Sequence, residues 1–245
     1  MADATTSQPL AGKARAILTA ELLAIGTELT VGETTDTNSG ELARSLVAHG
    51  VAVGRVADLP DDLDVVVEAL RAALGRADLV VTTGGLGPTP DDLTREAVAA
   101  VCGEAPVVDE ATLAWLRDRW TRRRQPFPES NVKQAWIIPS ATALPNPNGT
   151  APGWWVARPD GRVIVMLPGP PREMRPMWQD QVRNQLEANP DIPPQVRDMV
   201  LKLISGSGLA LLQFAVTLPI YAIFAMLGAL LGLSFFKKKT PPPTA

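Results

Sequence analysis

Thr82-Thr83-Gly84-Gly85-Leu86-Gly87-Pro88-Thr89-Pro90-Asp91-Asp92 is the stretch that decides how this chain folds. The β-branched run Leu79-Val80-Val81 leads into it, and a helical pattern over 93–101 leaves it. The order is strand, glycine-rich turn, helix N-terminus. Such a turn leaves backbone N–H groups pointing outward, where the helix dipole favours an anion. Gly84, Gly85 and Gly87 let the backbone approach a phosphate closely, and Leu86, Pro88 and Thr89 complete the turn. Asp91 and Asp92 would repel a phosphate unless a cation stood between them. The stretch therefore points to a phosphate-bearing ligand together with a divalent metal. The plainer alternative is a tight turn in which Asp91 caps the helix.

The flanking sequence repeats the alternation. Residues 17–25 are apolar and read as a buried first strand ending at Gly26-Thr27-Glu28. Thr37-Asn38 can cap a helix whose apolar face is Leu42, Leu46 and Val47. Residues 51–56 alternate as a second strand with Asp58 just beyond its end. Pro60-Asp61-Asp62 opens a helix carrying Val66, Ala69, Leu70 and Leu74, and Asp78 to Thr83 is the third strand. Asp109 can cap a helix with Leu113, Leu116 and Trp120 on one face. The spacing of Trp115, Leu116 and Trp120 predicts core rather than a stacking platform. Arg122-Arg123-Arg124 follows, and reads either as a solvated face or as a phosphate contact. Later strands are expected at 136–138, 154–157 and 163–167, the last two joined by the hairpin turn Arg158-Pro159-Asp160-Gly161. A closing helix is expected over 172–186.

Strands alternating with helices imply a layered α/β fold with a mostly parallel sheet. Ligands of such sheets gather at the carboxyl ends of the strands. Gly26-Thr27-Glu28, Asp58, Gly84 to Asp92 and Pro168 to Pro171 all follow predicted strands. They are expected on one rim.

Charge divides the chain. Residues 1–198 hold all 26 acidic residues against 17 Arg and 2 Lys, a net −7, whereas 199–245 hold 4 Lys and no acid. An acidic body argues against non-specific nucleic-acid binding. One cysteine, Cys102, excludes an internal disulfide and reads as a small buried hydrophobe. The one histidine, His49, stands before Gly50 at a helix end. Residues 1–16 are polar and Ala-rich without an apolar core, the pattern of a disordered arm rather than a signal peptide.

Residues 209–236, with Leu209 at one end and Phe236 at the other, contain no charge over 28 positions. About 20 apolar residues suffice to cross a bilayer, so the segment reads as a transmembrane or membrane-inserted helix. It follows a Pro-containing linker at 190–208 and precedes a basic, Pro-rich tail at 237–245. The expected partner is a lipid bilayer. The domain is then expected on the membrane with its body in the cytoplasm, held by a tail anchor or by a hairpin bent at Pro219, or simply cytoplasmic without the tail.

The ordered motifs resemble a family. They are Ala24-Ile25-Gly26-Thr27-Glu28-Leu29, Asp36-Thr37-Asn38, Thr83 to Thr89 with Asp91-Asp92-Leu93-Thr94, and Asn131 with Lys133-Gln134-Ala135. Asn146-Pro147-Asn148-Gly149-Thr150-Ala151-Pro152-Gly153 and Leu167-Pro168-Gly169-Pro170-Pro171-Arg172-Glu173-Met174 complete the set. Over roughly 17–189 the chain resembles the N-terminal domain of the competence/damage-inducible CinA family, within the molybdopterin-binding MoaB/Mog superfamily. The resemblance implies a three-layer α/β fold, a site for a nucleotide or pterin phosphate, and a homodimer. It also implies metal-dependent ADP-ribose pyrophosphatase activity, or alternatively the molybdopterin binding or adenylyl transfer of cofactor synthesis. A membrane-tethered binding module without turnover is a third reading. The family's C-terminal nicotinamide mononucleotide amidase domain is not matched, because the sequence leaves the pattern near Pro190.

On that resemblance, the amides of Gly84 to Thr89 hold a pyrophosphate. Gly26, Thr27 and Asn38 line the ligand. Asp92, with Asp91 and Asp58, holds Mg²⁺, Mn²⁺ or Co²⁺. Glu28 and Glu173 are the candidate water-activating bases. The loops Asn148-Gly149-Thr150 and Gly169-Pro170-Pro171 close on the ligand.

Overall fold

The computed structural model describes residues 16–187. The chain divides between Pro193 and Pro194 into two units, the first of which holds all the described residues. The predicted arm, linker, membrane segment and basic tail lie outside the described residues. Among those described, no helix is long and apolar enough to cross a membrane.

The elements in chain order are β1 (Thr19–Ile25), α1 (Thr27–Thr30), α2 (Asn38–Ala48), β2 (Ala52–Leu59), α3 (Leu63–Leu74), β3 (Leu79–Thr83), α4 (Thr94–Cys102), β4 (Val107–Val108) and α5 (Glu110–Arg122). A 3₁₀ segment (Glu129–Ala135) follows, then β5 (Trp136–Ile137), β6 (Ala141–Leu144), β7 (Gly153–Ala157), β8 (Val163–Leu167), α6 (Pro171–Met177), a π turn (Trp178–Val182) and α7 (Arg183–Glu187). Six strands form one sheet in the order β2-β1-β3-β8-β7-β6, and β4 pairs with β5 in a separate ribbon. β2, β1, β3 and β8 run parallel, while β7 and β6 are antiparallel additions at one side. The expected α/β fold with a mostly parallel sheet is what the chain adopts.

Both faces of the sheet are covered at its centre, so β3 and β8 are buried at every position rather than at alternate ones, whereas the edge strand β2 is mostly exposed. Leu23, Val80 and Ile164 face a core shared with Val66 and Leu70 of α3 and Ala97 and Val98 of α4. Leu22, Val81 and Val165 face the opposite core, shared with Leu42 and Leu46 of α2 and Met174, Met177 and Trp178 of the closing helix. The result is three layers. Asp78 ties two strands at their start: its Oδ2 accepts from the amides of Leu18 and Thr19 and from Thr19 Oγ1 at 2.8–3.1 Å.

Several details depart from the sequence reading. β2 extends to Leu59, so Asp58 lies within the strand, paired in register with Ala24 of β1. The α2 cap comes from Asp36, whose Oδ1 accepts from the amides of Asn38 and Ser39, and Thr37 makes no side-chain cap. Val47 is exposed and leaves the α2 face to Leu42 and Leu46. Trp115 is 38% exposed and outside the core, whereas Leu116 is buried and Trp120 packs beside it. The two-residue β4 and the four-residue β6 have no periodicity long enough to read. Asp62 and Asp109 cap α3 and α5 as expected. The closing helix is interrupted by a π turn that begins two residues after Pro176, which lacks the N–H an α-helix would use there.

Candidate functional site

The parallel register sets the rim. Leu59, Ile25, Thr83 and Leu167 end four adjacent strands. Gly26 N donates to the Leu59 carbonyl at 2.9 Å, and Gly84 N donates to the Leu167 carbonyl at 3.0 Å. The loops that leave β1, β3 and β8 thus start side by side. Above them opens a cleft of about 670 Å³, within the range of small-ligand sites.

Of the residues singled out in the sequence, the cleft gathers Gly26, Glu28, Asn38, Gly84, Gly85, Leu86, Gly87, Pro88, Thr89, Asp91, Asp92, Thr150, Gly169, Pro170 and Glu173. Asp36, Asp61 and Gln134 join them. Thr27, Asn148, Gly149 and Asp58 are not on the lining. Thr27 instead faces Asp61: its amide donates to Asp61 Oδ2 at 2.8 Å, and its Oγ1 accepts from the Asp61 amide at 3.1 Å. Asn148 Nδ2 donates to the Arg172 carbonyl, tying that loop to the start of α6. Arg122-Arg123-Arg124 lies on and just beyond the end of α5 and does not line the cleft, which removes the phosphate-contact reading for it here.

The glycine-rich loop is closed from within. Asp92 Oδ1 accepts from Gly87 N at 2.8 Å, and its Oδ2 accepts from Thr89 N at 2.9 Å and from Thr89 Oγ1. The carboxylate that ties the turn is therefore Asp92, not Asp91. Thr94 at the start of α4 adds two bonds, from its amide to the Gly85 carbonyl and from its Oγ1 to the Gly84 carbonyl. Gly84 N is committed to Leu167, and Gly87 N and Thr89 N to Asp92. The Gly85 and Leu86 amides have no acceptor among the described residues.

Sequence reasoning missed what holds this loop from behind. Arg95 is fully buried, with Nη1 donating to the Leu86 carbonyl and Nη2 to the Pro152 carbonyl, both at 2.8 Å. Its guanidinium lies 5.8 Å from the Trp154 ring centroid. Burial pulls its pKa down to about 10, partly offset by Glu96 and Asp92, so it stays charged at neutral pH. The available signal was one Arg on the inner stripe of α4, between Thr94 and Ala97-Val98. Lys133 braces the outer side, with Nζ 2.7 Å from Glu96 Oε1 and 3.3 Å from the Thr89 carbonyl.

Glu173 and Asn38 also line the cleft. Glu173 Oε2 accepts from Asn146 Nδ2 at 2.8 Å, and Asn146 Nδ2 also donates to the Ala151 carbonyl. Glu173 is thereby fixed against Gly149, where a Cβ would collide with its carboxylate. Asn38 Nδ2 donates to the Gly169 carbonyl at 2.7 Å. Its Oδ1 is buried without a hydrogen-bond partner among the described residues.

The electrostatics are one-sided. Six carboxylates line the cleft (Glu28, Asp36, Asp61, Asp91, Asp92 and Glu173), and no Lys or Arg among the described residues does. Oxygen donors of this kind suit a hard divalent cation. Among the described residues no three acidic, His or Cys side chains converge closely enough to enclose one.

Asp58 sits beside this acidic region without entering it. Partial burial and then repulsion from Asp36 raise its pKa above the usual carboxylate value. A raised folded pKa means that ionising Asp58 costs stability. That cost is absent below the unfolded pKa, grows as pH rises toward the folded pKa, and is complete above it. Asp58→Asn is therefore expected to raise the melting temperature at pH 7 and to leave it unchanged near pH 3. A thermal shift of equal size at both pH values would contradict this.

Comparison with known proteins identifies the family. The model of the family described as a probable molybdopterin binding domain matches residues 21–188. The chain belongs to the molybdopterin-binding domain family. Within this family it is similar to a CinA-like protein of Deinococcus radiodurans, 55% identical over 173 residues, and to one of Deinococcus deserti, 52% identical over 170. Each match covers 69% of this chain but only 43% and 42% of those relatives, so the chain's match spans less than half their length. A crystal structure described as the protein CinA with unknown function, from Thermoplasma acidophilum, superposes with a TM-score of 0.65 at 36% identity. That likeness covers 69% of this chain and 99% of the other, which makes this chain a CinA-like member of the molybdopterin-binding family.

Proposed function

We propose that the domain binds the pyrophosphate of a nucleotide or pterin in this cleft and hydrolyses such pyrophosphates with a divalent cation, ADP-ribose being the substrate to try first. The observation that carries the reading is the pairing of loop amides at Gly85 and Leu86 with six lining carboxylates and, among the described residues, no lining Lys or Arg. An anionic ligand alone would be repelled there, so it must arrive with positive charge.

Asp91 and Asp92 are the residues that would hold the cation beside the loop. Asp92 has three of its roughly four lone-pair positions filled by the loop, which leaves one. Phosphate oxygens and water would complete the shell, as is usual for Mg²⁺. The bound ion would neutralise phosphoryl charge and acidify a water. The chain's own part is positioning: loop amides orient the phosphate, and Glu173, held by Asn146, accepts the proton from the attacking water. Glu28, on the short α1 turn, is the alternative acceptor.

A second reading has its own support. Both Asp92 oxygens are engaged in closing the loop, which suits a binding module that retains the fold without turnover. The family description favours a pterin as its ligand. One experiment separates the readings: the full chain is incubated with ADP-ribose and Mg²⁺, Mn²⁺ or Co²⁺, and AMP is quantified, with Glu173→Gln in parallel. The expected outcome is metal-dependent AMP that falls about 10²–10⁴-fold in Glu173→Gln, the usual worth of a general base. Ligand binding by calorimetry without AMP would replace hydrolysis with the binding reading.

We also propose that 209–236 tethers the domain to a membrane, with the body on the cytoplasmic face. The support is the 28-residue uncharged length of that segment.

A further inference from the structure

The described body is acidic, yet the second half of α5 and the turn that follows it reverse the sign. Trp115-Leu116-Arg117-Asp118-Arg119-Trp120-Thr121-Arg122-Arg123-Arg124 carries five Arg and one Asp, a net +4 within a body of −7. Leu113 and Leu116 turn inward with Ala135, and Trp120 and Phe127 pack partly buried beside them, so the helix is anchored by its apolar stripe. Arg117, Arg122, Arg123 and Arg124 are exposed. Asp118 neutralises only Arg122, at 2.7 Å.

The cations are arranged on aromatic rings. Arg119 lies over Trp115 at 5.4 Å, Arg123 over Trp120 at 5.7 Å and Arg117 over Phe127 at 5.8 Å. Stacking presents each guanidinium on an apolar plane with donors still free at its edge. Indole and guanidinium together, apolar body below and charge at the tip, are the chemistry of the bilayer interface. The cleft does not use these residues.

We propose that this face of α5 docks on an anionic lipid surface, the arginines binding headgroup phosphates and Trp115 entering the interface. The choice of lipid over other polyanions rests on the tether reading of 209–236, which keeps the domain beside a bilayer. Each arginine near an anionic surface strengthens partitioning about five-fold, so three together are worth about two orders of magnitude.

The test uses the full chain with phosphatidylcholine vesicles, with and without about one third phosphatidylglycerol. Flotation reports association, and amide hydrogen exchange over 112–127 reports docking. The comparison protein is Arg117→Gln/Arg123→Gln/Arg124→Gln, three exposed positions outside the core. Slower exchange of 112–127 only on the anionic vesicles, reversed by 0.5 M salt and absent from the variant, is the expected result. Equal exchange on both vesicles, with flotation intact, overturns docking while the tether stands. Arginine-dependent flotation on anionic vesicles alone keeps the docking face and overturns the tether. Arginine-dependent binding of a single-stranded oligonucleotide, with no lipid effect, overturns the lipid assignment.

Discussion

Arg95→Met should lower the stability of the described domain by about 3 kcal/mol, because two buried carbonyls lose their donors while the volume is nearly kept. For a domain of this size that corresponds to roughly 6–12 °C in melting temperature. The argument rests on what Arg95 satisfies, the Leu86 and Pro152 carbonyls on two different loops. Methionine cannot donate to either. Burying one fewer charge returns part of the loss, which is why the figure stays below that for breaking a buried ion pair. Arg95→Lys should fall between, since one ammonium cannot span two carbonyls as the guanidinium fork does. Scanning calorimetry of the three proteins is the measurement. A melting temperature for Arg95→Met within 2 °C of the parent would show that the bracket carries little.

Gly84→Ala should cost about as much, roughly 3 kcal/mol, and should also abolish the pyrophosphate binding proposed for the loop. Gly84 has φ +96°, and a Cβ there would fall on the Ile25 carbonyl oxygen, which is backbone and cannot swing aside. Relief requires β1 and β3 to part at the rim where the Gly85 and Leu86 amides are set. Gly103→Ala is the internal control, with φ +69° but open space around its Cβ, so only backbone strain of about 1 kcal/mol is expected. Urea unfolding measures both, and calorimetric titration measures the ligand. Equal destabilisation by the two substitutions would mean that the contact at Ile25 yields easily.

The sequence revealed the fold where a long periodic signal or a capping residue existed. The runs that became β1, β3 and β8 are apolar because both sheet faces are covered, and Asp62 and Asp109 cap where a strand or loop gives way to a helix. The strand-following positions Gly26, Gly84 and Pro168 did meet on one cleft, a consequence of parallel pairing that needs no side-chain detail. What escaped was decided in three dimensions. Asp91 and Asp92 are adjacent and chemically alike, and only the curl of the loop selects Asp92 to close it. Asp58 was read past a strand end that lies farther on, because Ala57-Asp58-Leu59 continues to pair with β1. Arg95 acts on carbonyls 9 and 57 positions away and Asn146 on a carboxylate 27 positions away, contacts that no local pattern announces.

The run of six carboxylates around the cleft also has a kinetic meaning. A bare pyrophosphate would approach against a field that the low-dielectric walls concentrate, whereas the same group already complexed with a divalent ion carries much less charge. The mouth would therefore discriminate between such species before any contact forms. On the proposed reading, free nucleotide would be turned back at a distance and the metal complex admitted, so the effective concentration at the loop would follow the supply of complex rather than the total pool.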